Sequence, residues 1–520
     1  MTICYIILAL AVLAFLCCNV PKSLHMLQLN SYKVPTHMRW LRGNRATLIP
    51  GIFTGGLTAL ALALQLQPIA ACILLAVVFV LFAVMGRPKK AKKPLVYTNR
   101  VKRMILTMVI ILALLSAAAI ALGHSGALVI ICVTALCSPF LVLLANTINK
   151  PVEKGINRYY INDAKKILSG CKNLTVIGIT GSYGKTSVKY ILSTLLQAKY
   201  NVLMTPESYN TPMGVVITVR QHLRATHQVF VCEMGARHVG DIKELCDIAH
   251  PHMGIITSVG PQHLETFHSI ENVKKTKFEL ADSLPGDGVL FLNGEDANIR
   301  EHRIHAKNRI VSYGLSDQHD YYATDISASS KGTTFTVHAP DGECETFTTK
   351  MVGAHNVINI VGAMAICGSM GIPLSKLKAQ VRKLEGVPHR LQLIRRGGGI
   401  TVIDDAYNSN PTGSKAAIDA LSLFDGYKIL VTPGMVELGD RQAELNQAFG
   451  AHAASVCDYV VLVGKANSQS IREGLLSQGY PAEKIFMAER LQDGLNQAYA
   501  LDPHGKEKII LLENDLPDNF

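Results

Sequence analysis

No aspartate or glutamate occurs among the first 150 residues of this 520-residue chain, although that stretch carries 14 of its 51 Lys and Arg residues. The remaining 37 basic residues face 39 acidic ones, so the formal net charge of +12 belongs to the N-terminal segment. Carboxylates inside a membrane are frequent ion carriers; without them an ion-coupled transport pathway has no obvious carriers. The positive charges flank apolar runs and come with no nucleic-acid-binding module. Membrane topology accounts for them, and no nucleic-acid partner is expected. The 12 cysteines form no C-x-x-C pair and keep no regular spacing. That argues against a disulfide framework or a zinc site and fits small buried side chains in a reducing compartment. Internal repeats and low-complexity tracts are absent too.

What is there begins with five apolar runs, at 3–20, 47–66, 68–86, 104–122 and 127–147. Each is near the ~20 residues that cross a bilayer core. The first has no charged start and no small-residue cleavage site before Pro21 and Lys22, so it reads as an anchor rather than a signal peptide. Residues 21–46 carry Lys22, Lys33, Arg39, Arg42 and Arg45; residues 87–103 carry eight Lys or Arg; the hairpins at 65–68 and 123–126 carry none. The positive-inside rule puts both basic loops in the cytoplasm. The expectation is a multi-pass protein of the cell (inner) membrane, its N-terminus outside and everything after Lys150 cytoplasmic. The spans serve as an anchor or as a platform for a lipid-linked substrate. Gly51-x-x-x-Gly55 offers close helix packing. The KKAKK run at 89–93 would suit anionic lipid, although topology already explains it.

After residue 150 short apolar strands alternate with amphipathic helices. LTVIGIT (174–180), QVFVCEM (228–234), MGIITSV (253–259) and GVLFLN (288–293) read as buried strands, and 321–350 reads as a small antiparallel excursion. A second set starts near Thr401: TVIDDAY, YKILVTPG, YVVLVG, KIFMAE and KIILLEN. This pattern argues α/β architecture with parallel sheets. The expected plan is a five-helix membrane domain (1–150), a P-loop ATP-binding domain (151–380) and a Rossmann-like C-terminal domain (381–520). VRKLEGVPHR (381–390) marks the last boundary.

The strongest local signal is TGSYGKTS (180–187), which joins a buried strand to a helix. Gly181 and Gly184 let backbone N–H groups turn toward a polyphosphate, and the helix adds its positive N-terminus. Lys185 would reach the terminal phosphates and Thr186 would hold Mg2+. The strict G-x-x-x-x-G-K-[ST] spacing fails at Ile179, and a tight strand–helix turn is the plainer alternative. Glu233 ends a strand, where a carboxylate can take Mg2+ or cap a helix. His263 sits in a Gly-Pro turn. Lys277 lies one helical turn after Lys274, whose repulsion, with any desolvation, favours a neutral amine; otherwise it is a surface charge. Asn356 opens a helix, where capping is its common role. Asp405 ends a strand and reads as a cap for the helix from Pro411; Arg390 reads as a surface ion pair.

Seven segments in order resemble the Mur ligases, the amide-forming enzymes of peptidoglycan precursor synthesis. They are TGSYGKTS, EMGA (233–236), GPQHLE (260–265), KFEL (277–280), GAHNVIN (353–359), PHRLQ (388–392) and DDAYNSNP (404–411). EMGARHVGDI and DDAYNSNP are most similar to the members that add D-alanyl-D-alanine to a muramoyl-tripeptide. The resemblance implies that Thr180, Gly181, Ser182, Gly184, Lys185, Thr186 and Ser187 cradle ATP. It implies that Asn356 recognises adenine and that Arg390 and Asp405 reach the nucleotide when the domains close. Thr186 and Glu233 would hold one Mg2+, and His263 with a carbamylated Lys277 a second. Asn210, Thr211, Tyr407, Asn408 and Asn410 would shape loops or meet substrate.

The implied chemistry is ATP-driven amide formation through an acyl phosphate, with a muramoyl peptide as acceptor, nucleotide- or lipid-linked. Three features depart from the family. Membrane helices occupy the place of the UDP-sugar domain. The Asn-rich loop is recast as TPESYNTPMG (205–214). The C-terminal lysine-glycine-serine-arginine tract gives way to the acidic LLENDLPDNF. Another membrane-bound Mur-like ligase, such as a poly-γ-glutamate synthase, and an ATP-gated transporter or scaffold are the alternatives.

Overall fold

Each of the five apolar runs folds chiefly as helix in the computed structural model, which describes residues 2–87, 94–302, 308–406 and 409–514. The chain divides into two compact units, one reaching to Tyr159 and the other beginning at Tyr160.

In the first unit the helix Thr2–Leu29 continues past residue 20 and carries Pro21 inside it. A short amphipathic helix follows, Val34–Gly43, with His37 and Leu41 buried, within the basic stretch 21–46 expected as a loop. The run at 47–66 yields only the 15-residue helix Ile49–Ala63. Fifteen residues rise about 22 Å, against a core of about 30 Å. Pro68, which begins the next helix at Pro68–Met85, restrains the residue before it from helical backbone and so helps end the turn between them. Among the described residues four stretches are long and apolar enough to cross a membrane: Ile3–Leu29, Pro68–Met85, Asn99–Ala121 and Gly123–Gly170.

The inner faces of these helices pack closely. Phe15 meets Phe79 edge to face at 5.3 Å. A Cβ on Gly51 would come within 2.5 Å of the Ala135 carbonyl oxygen, and one on Gly55 within 2.5 Å of Leu136 Cγ. The G-x-x-x-G pair therefore seats Ile49–Ala63 against Gly123–Cys137. Outward faces remain apolar and open, as at Leu114 and Ile120. Glu153, the first acid in the chain, takes two hydrogen bonds from Arg103, at 2.7 and 2.9 Å. The KKAKK run lies outside the described residues. The helix Leu141–Gly170 passes through residue 150 without a break.

The second unit holds two sheets. The first contains β1 (Thr175–Thr180), β2 (Val202–Met204), β3 (Val229–Glu233), β4 (Met253–Ile256), β5 (Val289–Asn293), β6 (Arg309–Gly314), β7 (Tyr321–Ser329), β8 (Gly332–His338) and β9 (Cys344–Thr349), in the order β2-β3-β1-β4-β5-β6-β7-β8-β9. Its β1, β3 and β4 are buried almost throughout, as parallel strands covered on both faces must be. The β7–β9 part is antiparallel. The second sheet contains β10 (Gln392–Gly397), β11 (Ile400–Asp405), β12 (Tyr427–Thr432), β13 (Tyr459–Val463), β14 (Ile485–Ala488) and β15 (Lys508–Glu513), ordered β10-β11-β15-β12-β13-β14. All its pairings are parallel except β10 with β11. The helices Lys185–Leu196 and Ala354–Ser369 pack together over the first sheet. Functional side chains gather at the carboxyl ends of β1, β3 and β4, where open α/β sheets bind ligands.

Candidate nucleotide site

The glycine loop leaves β1 at Thr180 and enters the helix after Gly184, whose φ is +80°. Gly181 has φ +152°, and a Cβ there would fall 2.1 Å from Thr257 Oγ1. The loop is stitched to the turn after β4. Ser182 N donates to the Ser258 carbonyl at 2.8 Å, Gly260 N to Ser182 Oγ at 3.0 Å, and Tyr183 Oη to the Pro261 carbonyl at 2.8 Å. Asp296 holds that turn from β5's side by accepting from Val259 N at 2.8 Å. The first N–H groups of the following helix lack intrahelical partners and carry positive potential.

Lys185 folds back over the loop and donates to the carbonyls of Gly181, at 2.6 Å, and Ser182, at 3.1 Å. Desolvation pushes its amine down to about 8; Glu233 opposes the shift and Arg390 adds to it. Glu233, at the end of β3, is 1% exposed. Its Oε1 accepts from Asn210 Nδ2 at 3.0 Å and from Thr186 Oγ1 at 3.2 Å. Its Oε2 lies 3.1 Å from Lys189 Nζ yet receives no aligned hydrogen bond. Lys189 also donates to the Glu207 carbonyl. The sequence reading missed it: a lone lysine on an otherwise apolar helix face, one turn past Lys185, was the available signal.

The Glu233 carboxylate, with Oε2 free of any aligned hydrogen bond and Oε1 beside the Thr186 hydroxyl, offers the oxygen ligands that a hard divalent cation prefers, with Lys189 the charge such an ion would have to share it with. Among the described residues no group of three or more His, Cys, Asp or Glu gathers for a metal. Phosphate and water oxygens would therefore have to complete the shell of an ion held here.

Lys277 is 1% exposed, and its amine is driven well below the usual lysine range, first by desolvation and then by Lys185. The repelling neighbour expected from sequence was Lys274; instead Lys274 lies 3.4 Å from Glu271 and the interior position of the site supplies the effect. His263 adopts φ +51°, and its Nδ1 is hydrogen-bonded to Glu437. Burial lowers its imidazole, with Glu437 opposing and the Lys185 charge adding.

Asn356 is buried, but not as a cap: Gly353 holds the cap position of Ala354–Ser369, and Asn356 Nδ2 donates to the Val352 carbonyl at 2.9 Å. The cap of Pro411–Ser422 is Asn410, which accepts from Gly413 N at 2.7 Å, so the helix-cap alternative for Asp405 does not hold. Asp405 instead accepts from Leu391 N at 3.1 Å. Burial raises it to about 6, against that bond and Arg390. Arg390 stands between two residues in left-handed backbone, His389 at φ +59° and Leu391 at φ +49°. Its field reaches both Lys185 and Asp405. Thr211 caps Pro212–His222 through Gly214 N. Tyr407 and Asn408 lie outside the described residues. Glu513, expected only as part of an acidic chain end, is buried at the end of β15, where it accepts from Ser409 and, at 2.6 Å, from Thr432.

Buried strand, glycine loop and helix N-terminus, with Lys185 and Lys189 beside the carboxylate of Glu233, define an α/β protein built to hold a polyphosphate. The Mur ligase middle domain family matches residues 179–367, and the family described as Mur ligase, glutamate ligase domain matches residues 389–512. The chain is 33% identical over 304 residues to the UDP-N-acetylmuramoyl-tripeptide–D-alanyl-D-alanine ligase of Bacillus subtilis, covering 58% of this chain and 65% of that one. It is 31% identical over 320 residues to the ligase of the same name from Escherichia coli, covering 61% and 70%. The MurF ligase of Thermotoga maritima, solved in complex with ADP, superimposes with a TM-score of 0.61 at 25% identity, over 69% of this chain and 80% of that one. The chain belongs to the Mur ligase family. It spans about two thirds of the length of these curated relatives, and both family matches fall after residue 178.

Proposed function

We propose that this chain is an ATP-dependent, ADP-forming amide ligase of peptidoglycan precursor synthesis that joins D-alanyl-D-alanine to a muramoyl-tripeptide at the cytoplasmic face of the membrane. The observation that carries the reading is the pairing of Lys185 and Lys189 with buried Glu233 beneath the glycine loop. Lys185 and the loop amides hold the terminal phosphates. Asn356 and the start of its helix lie on the adenine side, and Arg390 with Asp405 reaches over from the second sheet. The acceptor carboxylate attacks the γ-phosphorus, the bond to ADP breaks, and an acyl phosphate forms. The amine then attacks the carbonyl carbon, loses a proton, and inorganic phosphate leaves.

Mg2+, when bound at Thr186 and Glu233, supplies charge neutralisation for the phosphates. Lys277, enclosed and with its amine held well below the usual lysine range by desolvation, is suited to carbamylation, which needs a neutral amine. The protein's own contribution is positioning and an electrostatically prepared pocket. Residues 205–211, tied to Glu233 through Asn210, bring the acceptor side to the phosphates. The N-terminal helices hold the enzyme at the bilayer, where a lipid-linked acceptor is accessible.

The departure of the chain's end, LLENDLPDNF, from the lysine-glycine-serine-arginine tract of the D-alanyl-D-alanine-adding ligases favours a second reading: a Mur-like ligase for a different amine, such as L-glutamate. ADP release and product mass from the purified full chain, with D-alanyl-D-alanine against L-glutamate, separate the two. Undiminished product formation by Lys185→Ala would overturn both.

A further inference from the structure

Glu437 belongs to the loop after β12, 174 residues from His263, and its carboxylate is bracketed by two side chains of the first-sheet half of the unit. Oε2 is hydrogen-bonded to His263 Nδ1, and Oε1 lies 3.5 Å from Arg237 Nη1. Arg237 leaves the same strand end as Glu233, and its backbone is pinned by N–H donation to Asp241 Oδ2 at 2.8 Å. Both His263 and Glu437 hold left-handed backbone, φ +51° and +62°. Non-glycine residues persist there when their surroundings over-determine them, commonly at functional sites.

An imidazole offers two different nitrogens, and a carboxylate on one fixes the proton there and frees the other to bind. With Glu437 on Nδ1, the Nε2 lone pair of His263 is left for a cation or for a water that donates to it. We propose that Glu437 is a positioning residue: it sets the tautomer and direction of His263, and it makes the second sheet's docking a condition for completing the nucleotide-metal site. The inference rests on the nucleotide reading above but not on the identity of the amine. By reciprocity, whatever binds against His263 tightens the docking by the same factor.

The test uses the detergent-solubilised full chain, ADP and Mn2+ as a spectroscopic stand-in for Mg2+. Free Mn2+ is titrated by electron paramagnetic resonance, and hydrogen exchange is followed at residues 260–268 and 433–439. Glu437→Gln keeps the size of the side chain. It should weaken Mn2+ binding in the presence of ADP by about 10–100-fold, the usual cost of losing an outer carboxylate on a ligating histidine, and speed exchange in both segments. The exchanged pair Arg237→Glu/Glu437→Arg restores a bridge between the halves without restoring the carboxylate on His263. It should recover protection at 433–439 but leave Mn2+ binding weak. Wild-type binding of ADP·Mn2+ with unchanged Mn2+ affinity in Glu437→Gln overturns this inference alone. Failure of the wild-type chain to bind ADP at all overturns the nucleotide reading as well.

Discussion

Lys189 Nζ and Glu233 Oε2 lie 3.1 Å apart, with 0% and 1% of their side chains exposed. Two charges removed from water so completely persist because they neutralise each other. The same ammonium reaches the Glu207 carbonyl, while Glu233 receives Asn210. The loop at 205–210 is thereby joined to the helix that follows the glycine loop through one ion pair.

Replacing Lys189 with Met leaves the carboxylate buried without its cation. Breaking such a pair costs about 3–5 kcal/mol. Thermal unfolding of the solubilised chain should fall accordingly, and adding Glu233→Gln to the same chain should recover most of the loss. A single mutant as stable as wild type would contradict the pairing.

Lys185 titrates near 8 in the nucleotide-free protein, lowered chiefly by desolvation. Phosphate anions placed beside it favour the charged form and raise that value. Affinity for ADP is then fully present below about 8 and falls as pH rises through the pKa of the bound state, with protons taken up on binding. Calorimetry at pH 8.5 in buffers of different ionisation enthalpy should read net proton uptake, reduced in Lys185→Ala.

Burial lifts Glu513 to about 7, opposed by donation from Ser409 and Thr432 and aided by Asp405. Its folded-state value exceeds the unfolded one, so the folded chain binds an extra proton between the ordinary glutamate range and about 7. That contribution is present at low pH and lost as pH rises through 7. Stability should drop between pH 5 and pH 8 by on the order of 3 kcal/mol more in wild type than in Glu513→Gln. Parallel melting curves of the two chains read the difference.

A side chain at Gly51 would meet a backbone oxygen that cannot swing away. Gly51→Val should destabilise the N-terminal helices by about 1–3 kcal/mol, the usual cost of overpacking, while leaving ADP binding unchanged. Gly56, with nothing within 4 Å of an added Cβ, is the matched control for the melt.

Much of this was legible in the chain. The apolar runs became helices, the buried runs at 174–180, 228–234 and 253–259 became the central strands, and the glycine loop lies where its composition put it. Three strands escaped notice. β2 is three residues long, β10 is half exposed, and β6 begins with an exposed arginine and isoleucine, so none has a full alternating or buried pattern. Lys189 was overlooked because charge on a buried face reads as an irregularity until its partner, 44 residues on, is known. Glu437 was out of reach altogether: nothing local in PGMVEL marks a carboxylate whose partners are His263 and Arg237. The lowering of the Lys277 amine was foreseen, and desolvation is its chief cause, but the charge beside it is Lys185, brought in by the fold, and not the helical neighbour Lys274.

His389 and Leu391 hold left-handed backbone on either side of Arg390, at the joint where the chain passes from one sheet to the next. For side chains of this kind the conformation is dearer than ordinary backbone by roughly 1–2 kcal/mol per residue. The joint is thus wound, like a torsion bar, while Arg390 faces the site. Any swing that returns these two residues to relaxed dihedral angles gives that energy back, so the backbone itself favours letting go.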